Sequence, residues 1–217
     1  MDADRGARLM AIRPADHGIF ASSGGGVLPV AAYFGGGIAN GTVVDKLAFS
    51  DDSTSTLGTG LSTGSYDVTG LANSAVAAYF GGGASLYQTI NKFAFPGDSR
   101  TTLSATLSVF YVQGAGGAAN SGVAGYFAGG GGFASAVDKI AFSDDSRSTL
   151  GTGLSGNRQF MAGAANSGVA GYFAGGNGPI ATIDKFAFPG DSRTTLGTGL
   201  SVARYACAGA ANEAELA

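Results

Sequence analysis

A 14-residue segment occurs four times in this chain, and the repeat limits the possible folds more than any other feature. The third copy reads VDKIAFSDDSRSTL, and every copy has Lys in third place, Ala-Phe in fifth and sixth, and Thr-Leu at the end. A Tyr-Phe pair precedes each copy, at spacings of 46, 47 and 46 residues. A period of this length indicates tandem structural units. The copies are Val44–Leu57, Ile90–Leu103, Val137–Leu150 and Ile183–Leu196.

Each unit contains four short apolar segments that are typical of β-strands. Segments of about four to eight residues fit strands and are too short for ordinary helices. The sequences Asn-Ser-Gly, Gly-Asn-Gly-Pro and Pro-Gly-Asp-Ser lie between them and predict turns. In the C-terminal part of the chain, the four types of segment are Tyr205–Ala211, Val169–Gly176, Ile183–Phe188 and Thr194–Ser201.

The third segment is largely apolar on both sides. Alternate residues of a strand point to opposite faces, so Ile183 and Ala187 share one face while Phe186 shares the other with Phe188. Such a strand needs a packed layer on each face, which neighbouring units can provide and a single unit cannot. We therefore predict one repeated Phe per unit in the core, each contributing about 1.5–3 kcal/mol. These positions are Phe49, Phe95, Phe142 and Phe188.

Four-stranded units of about 40–50 residues that pack face to face form a β-propeller. We predict an all-β fold, a β-propeller of four four-stranded antiparallel blades with a ring closed by strands from both termini. A fifth copy of the first segment, Tyr205–Asn212, would close the ring, and a weak counterpart at Phe20–Gly26 competes for that place. A ring shared by two chains stays open as an alternative, whereas a parallel β-helix would have a shorter period. The predicted organisation is an N-terminal extension, 1–26, and a propeller, 27–217, with units 27–72, 73–118, 119–165 and 166–212.

Low charge and a single cysteine exclude several classes of protein. Charged residues make up 12% of the chain and the net charge is −3 without a basic run, which argues against nucleic acid as a partner. Cys207 is the only cysteine, so neither an intrachain disulfide framework nor a cysteine-rich zinc site can form. The sequence predicts no signal peptide and no membrane span, because it lacks an apolar run of about 20 residues.

The segment YFAGG, Tyr172–Gly176, resembles the kelch repeat, in which a hydrophobic strand ends in a double Gly. The kelch pattern continues with a Tyr and a Trp across the next hairpin and an Arg before the innermost strand. Arg158 and Arg204 occupy the place of that Arg, where the first unit has Ser65. Phe replaces the kelch Tyr, and Leu replaces the Trp at Leu57, Leu103, Leu150 and Leu196.

The hairpin turn of each unit resembles the Asp-box of sialidase-type propellers, Ser-x-Asp-x-Gly-x-Thr-Trp. The segment from Ser143 to Leu150 matches it except that Arg147 replaces the Gly and Leu150 the Trp. The resemblance implies a structural turn rather than an active site, with the carboxylate accepting backbone N–H bonds inside the turn. The equivalent acids are Asp52, Asp98, Asp145 and Asp191. The near-identical Gly-, Ala- and Ser-rich units are also similar to repeats in tail fibres and other virion proteins of tailed phages.

A repeated Asp/Asn-Lys step is the strongest polar feature of the units. Adjacent strand residues point to opposite faces, so Lys139 cannot pair in the same layer with Asp138. Three interpretations stay open: a Lys stem over apolar surface with a hydrated head, a ring of ammonium groups for an anionic glycan, and an ion pair between blades. The acidic doublets at Asp51-Asp52 and Asp144-Asp145 offer too few oxygens for Ca²⁺, and the Gly-rich loops lack the features of a phosphate loop.

Variable loops that follow these glycines are the best candidates for ligand binding, because they would lie on one face of a propeller. Their most ligand-like residues are Asn40, Tyr87, Gln88, Phe133 and Asn177. Catalysis is not expected, since His17 is the only histidine and lies in the extension.

The sequence therefore predicts a protein without enzymatic activity, cofactor or metal. We expect a phage virion or tail-associated structural protein, or one that binds a host-surface glycan, within an oligomeric assembly. Its other virion partners would bind the N-terminal extension. The alternative is a cytoplasmic kelch-like module for protein–protein interaction.

Overall fold

The structure is a computed structural model that describes residues 31–84, 88–109, 113–132 and 134–211. These residues form fifteen β-strands and no helix, which confirms the all-β prediction. No helix long and apolar enough to span a membrane occurs in this part of the chain. The predicted extension, 1–26, and the loop residues Tyr87 and Phe133 lie outside the described residues.

The strands are short, with three to five residues each. In chain order they are β1 Ala31–Gly35, β2 Val44–Ala48, β3 Thr54–Thr56, β4 Thr69–Asn73, β5 Ala77–Gly81, β6 Ile90–Ala94, β7 Ser99–Thr102, β8 Gly116–Asn120, β9 Ala124–Ala128, β10 Val137–Ala141, β11 Arg147–Thr149, β12 Ala162–Asn166, β13 Ala170–Ala174, β14 Ile183–Ala187 and β15 Ser192–Thr195.

The strands build four antiparallel sheets, in which every hydrogen-bonded neighbour is also the neighbour in sequence. The first sheet contains β1 to β3, the second β4 to β7, the third β8 to β11 and the fourth β12 to β15. The four repeats thus form the blades of a propeller, as predicted. Among the described residues, the first sheet has three strands and the other three have four.

The innermost strands of successive sheets lie against each other through glycine. A Cβ on Gly117 of β8 would lie 2.8 Å from the carbonyl O of Gly70 in β4. A Cβ on Gly163 of β12 would lie 2.6 Å from the amide N of Gly117. Carbon and these backbone atoms cannot approach so closely, so glycine is what permits this spacing between sheets.

The outermost strand is shorter and begins earlier than predicted. In the fourth sheet it spans Ser192–Thr195, whereas the sequence predicted Thr194–Ser201. Regular pairing ends when the Leu196 amide donates to Ile183 O, after which bends bring the Leu200 amide to Ala181 O. The Gly-Thr-Gly sequence between these two leucines favours such bends over a continued strand.

The C-terminal segment that was predicted to close the ring is not a strand in the described residues. An isolated bridge between Ile180 and Arg204 lies directly before it, and within it the Ala206 amide donates to Phe160 O. Gly209 instead lies on the innermost strand of the fourth sheet, where its Cβ would be 2.6 Å from Gly163 O. No described strand pairs with the free edge of β1, so closure of the ring stays a prediction.

In the described part of the chain, the core lies between the sheets and consists of three apolar clusters. Phe142 is buried in one of them, while Phe95 and Phe188 are partly buried against the others. The core prediction is wrong for Phe49, whose side chain is 52% exposed. The three other residues pack on the unit that precedes them in the chain, and no described unit precedes the one that contains Phe49.

Candidate functional site

Three clusters of Tyr, Lys and Asp join each sheet to the next, and we call them the inter-unit clusters. In the middle one, the Tyr79 hydroxyl donates to Asp145 at 2.8 Å, and Lys92 Nζ lies 2.7 Å from the same carboxylate. The carboxylate belongs to the third unit, and the other two side chains belong to the second. The three inter-unit clusters are Tyr33–Lys46–Asp98, Tyr79–Lys92–Asp145 and Tyr126–Lys139–Asp191.

The local fold of each unit places these side chains together. Tyr79 in β5 lies directly opposite Lys92 in β6, so both point to the same face of the second sheet. Lys92 Nζ lies 5.5 Å from the centre of the Tyr79 ring, within the range of a cation–π contact. Asp145 occupies the left-handed region, with φ of 58°, at the hairpin turn before β11.

A stacked aromatic pair accompanies each inter-unit cluster. The ring of Tyr79 stacks on that of Phe142 with a centroid distance of 5.1 Å, and the other two units repeat this contact. The ring of the Tyr and the Lys stem therefore shield the ion pair from part of the solvent. The stacked pairs are Tyr33–Phe95, Tyr79–Phe142 and Tyr126–Phe188.

The hydroxyls of the inter-unit clusters are poor acids. Burial, together with the hydrogen bond to Asp145, raises the pKa of Tyr79 well above its usual value. Burial and the bond to Asp191 do the same to the pKa of Tyr126. In the first inter-unit cluster, the hydrogen bond to Asp98 raises the pKa of Lys46. Each inter-unit cluster thus holds a neutral phenol and an ammonium group against a carboxylate.

These contacts decide among the three interpretations of the repeated Lys. Lys46, Lys92 and Lys139 form ion pairs between blades at 2.6–2.7 Å, so they are neither hydrated heads nor a free ring of ammonium groups. The fourth residue, Lys185, has no hydrogen bond or ion pair within the described chain.

The local hydrogen bond expected from the Asp-box belongs to a different acid. The Ser53 amide donates to Asp51, and the Ser146 amide donates to Asp144, at 3.0 Å in both turns. Side-chain and backbone hydrogen bonds from Ser53 lower the pKa of Asp51, and Ser146 acts in the same way on Asp144. The acid at the Asp-box position has positive φ in every unit, and in three units it contacts the preceding blade. These acids are Asp52, Asp98, Asp145 and Asp191.

Sequence reasoning missed a second contact between units, which uses the Asp or Asn before each Lys. The Ser155 amide and hydroxyl both donate to Asp184 at 2.9 Å, and Ser108 makes the same two bonds to Asp138. In the first such contact, the Ser62 amide donates to Asn91 at 3.1 Å. The signal was the Leu-Ser pair that follows the outermost strand of each unit, since it recurs with the same period.

Arg158, one of the two kelch-like arginines, is buried beside Asp184. Its side chain is 1% exposed and forms an ion pair with Asp184, and it also donates to the carbonyls of Gly175 and Thr182. The other arginine, Arg204, is exposed. This buried guanidinium uses both of its terminal nitrogens to hold the loops of the fourth unit together.

The candidate loop residues do not converge in the described structure. Gln88 uses its side-chain amide to donate to Leu107 O at 2.7 Å, and the Asn177 side chain accepts the Gly178 amide at 2.9 Å. Asn40 is exposed and lines a shallow depression of about 480 Å³ beside Phe34. No group of three or more His, Cys, Asp or Glu that could hold a metal ion occurs in the described part of the chain.

Comparison with known proteins identifies a fold and no activity. No family model matches this sequence, and no curated protein matches it. The solved structure of YjhT resembles it with a TM-score of 0.64 at 14% identity, covering 78% of this chain and 63% of that one. The chain thus spans less than two thirds of that relative. At this identity the likeness supports the propeller-like fold alone.

Replacing Asp145 with Asn is expected to lower the free energy of unfolding by about 1–2 kcal/mol, because it weakens one ion pair and one phenol hydrogen bond. Chemical denaturation in dilute solution measures the change. Asp52→Asn is the matched control, since Asp52 has the same place in its turn and no side-chain partner among the described residues. Equal losses in both variants would contradict a role for the contact between units.

Stability is expected to fall as the pH rises above about 10, the ordinary pKa of tyrosine. The raised pKa values of Tyr79 and Tyr126 keep these groups protonated in the native state, whereas unfolded chains lose the protons near that pH. Their contribution is therefore complete below pH 10 and is lost above it. Denaturation at a series of pH values tests this. The double variant Tyr79→Phe/Tyr126→Phe should lose less stability between pH 9 and 11 than the native chain.

Proposed function

We propose that this protein is a non-catalytic β-propeller of a phage particle, a tail-associated structural component or a protein that binds a host-surface glycan. One observation carries the non-catalytic part. At three junctions the recurring lysines and acids join adjacent sheets, as in Lys92–Asp145 and Lys139–Asp191, and they do not converge on a cavity. A scaffold of this kind presents loops and faces to other molecules. The phage assignment rests on the similarity of the repeats to those of tail fibres.

Particles purified from a host that carries the gene test the location. We expect the protein at a fixed copy number per particle after density-gradient purification, measured by quantitative mass spectrometry. Recovery only from the soluble host fraction would contradict the virion assignment and favour the cytoplasmic interaction module.

A glycan array with the labelled native protein tests the binding role. We expect signals on a restricted group of surface glycans, with Asn40→Ala weakening them because Asn40 is exposed at a loop depression. Asp144→Ala, at an exposed turn of the third unit, serves as the control. An array without signals would exclude binding of a host glycan and favour a structural role in the particle.

A broad glycosidase screen tests the absence of catalysis. We expect no hydrolysis in this screen, and turnover of any substrate would overturn the non-catalytic assignment.

A further inference from the structure

The fourth sheet has one half of an inter-unit cluster without the other half. Tyr172 in β13 lies opposite Lys185 in β14, in the register that Tyr79 and Lys92 have in the second sheet. In the other units, this pair binds an Asp and stacks on a Phe of the following unit. Within the described residues, neither Tyr172 nor Lys185 has such a partner.

The first sheet has the missing half. Asp52 has the same left-handed turn conformation as Asp98, with φ of 57° and 55°, but its carboxylate is exposed and accepts no hydrogen bond from the described residues. Phe49 corresponds to the stacked Phe95 and is 52% exposed. Phe34 is 59% exposed, whereas the equivalent Phe173 is buried. This face is the one that other units turn toward the unit before them.

The same two faces carry the two partners of a second, independent contact, one partner on each face. Ser155 donates to Asp184 across one junction between units, and Ser108 donates to Asp138 across another. Ser201 is the next serine of this series, and it is exposed. Asp45 is the first acid of the series. It is half-buried and accepts a hydrogen bond only from Thr56 of its own sheet. A junction of the fourth unit with a first unit would complete this pair as well.

The fourth sheet also carries a segment that corresponds to the innermost strand missing from the described first sheet. Residues 208–211 read AGAA and repeat the sequence 162–165, the start of β12. They lie on β12 through Gly209, in the place where the innermost strand of a next blade belongs. Among the described residues, the first sheet has no such strand, and a cavity of about 510 Å³ lies between its β1 and β4 of the second sheet.

We propose that a second copy of this chain docks its first sheet on the fourth sheet of the first copy. Asp52 of the docked copy then binds Tyr172 and Lys185, Phe49 stacks on Tyr172, and Asp45 accepts from Ser201. The segment 208–211 of the first copy enters the cavity beside β1 and completes the three-stranded sheet. The contact reproduces the junctions that already join the four units, so charge, ring stacking and backbone pairing all agree.

The geometry favours a second copy over closure within one chain. The first and fourth sheets share no hydrogen bond, ion pair or ring contact among the described residues. The first sheet is held on the second by Asp98, through Lys46 and Tyr33, and by Asn91, through Ser62. The two docking faces differ, so repeated docking produces either a ring of copies or a filament.

Charge reversal at the two faces tests the proposal. We expect the full chain to associate as its concentration rises, measured by sedimentation velocity, with Asp52→Lys and Lys185→Asp each raising the dissociation constant by at least about thirtyfold. The double variant should associate again, because the reversed charges still match. An equimolar mixture of the two single variants should also associate beyond a dimer, because both kinds of junction between unlike variants then pair a Lys with an Asp.

Asp144→Lys is the control, because this exposed acid contacts only its own turn, and it should associate like the native chain. Thermal unfolding in dilute solution should show that all variants fold. A chain that stays monomeric at every concentration, with Asp52→Lys lowering its unfolding temperature, would show that the ring closes within one chain and would overturn the proposal. Association that neither single variant weakens would overturn it as well.

Discussion

Gly163→Ala is expected to lower the free energy of unfolding by about 3 kcal/mol, the upper end of the usual cost of overpacking. The new Cβ would lie 2.6 Å from the Gly117 amide N and closer still to the carbonyl O of the same residue. Both are backbone atoms of the neighbouring innermost strand, so neither can rotate away as a side chain could. The two sheets would have to separate, which also strains the inter-unit cluster of Tyr126, Lys139 and Asp191.

Thermal unfolding followed by circular dichroism measures the effect, which corresponds to a fall of roughly 6–12 °C in the midpoint for a domain of this size. Gly151→Ala is the matched control, because a Cβ at Gly151 meets no atom within 4 Å and its φ is not positive. We expect this control to unfold within about 0.5 kcal/mol of the native chain. A Gly163→Ala variant as stable as the control would show that the innermost strands are not in close contact.

The repeat made the fold predictable, whereas the junctions between units could not be deduced from it. Periodic spacing fixes which residues are equivalent, and strand alternation showed correctly that Lys139 and Asp138 point to opposite faces. The partner of Lys139 is Asp191, 52 residues further along the chain. Predicting this partner requires the offset between two neighbouring sheets. That offset depends on three-dimensional packing and cannot be deduced from the sequence of one unit.

Equivalence in sequence also failed to predict burial at the first blade. Phe49 and Phe142 have the same place in the repeat, yet one is exposed and the other is buried. Burial of this Phe depends on a preceding unit with a Tyr to stack on, and not on the Phe itself. Asp52 and Asp145 differ for the same reason. Their sequence contexts are nearly identical, but only Asp145 has a described preceding unit whose Tyr and Lys it binds.

The candidate loop residues show a different limit of sequence reasoning. Amides in a Gly-rich loop were read as ligand-like, but Gln88 and Asn177 satisfy hydrogen bonds of the scaffold. A loop that crosses between strands exposes backbone groups that need partners, and short amide side chains serve this need well. Among the candidates that the structure describes, Asn40 alone has an exposed side chain without a hydrogen bond in the scaffold.

Asp184→Ala is expected to have the largest effect of any single charge removal, lowering the free energy of unfolding by about 3–5 kcal/mol. Asp184 is fully buried and binds Arg158, Ser155 and Thr195. Its loss leaves the Arg158 guanidinium uncompensated in a site where burial already lowers the pKa of that arginine. Urea denaturation measures the loss, and Asp144→Ala, at an exposed turn, should leave the midpoint unchanged.

A second substitution and a pH series separate the unpaired charge from simple loss of packing. Arg158→Leu in the Asp184→Ala background should recover part of the lost stability, because no buried charge then lacks a partner. Burial alone would raise the pKa of Asp184, but hydrogen bonds from Thr195 and Ser155, together with the charge of Arg158, lower it. Its contribution is therefore complete above the ordinary carboxyl pKa of about 4 and is lost as the pH falls further. The native chain should lose stability below pH 4 more steeply than the double variant, and parallel curves would show that Asp184 stabilises the fold without its charge.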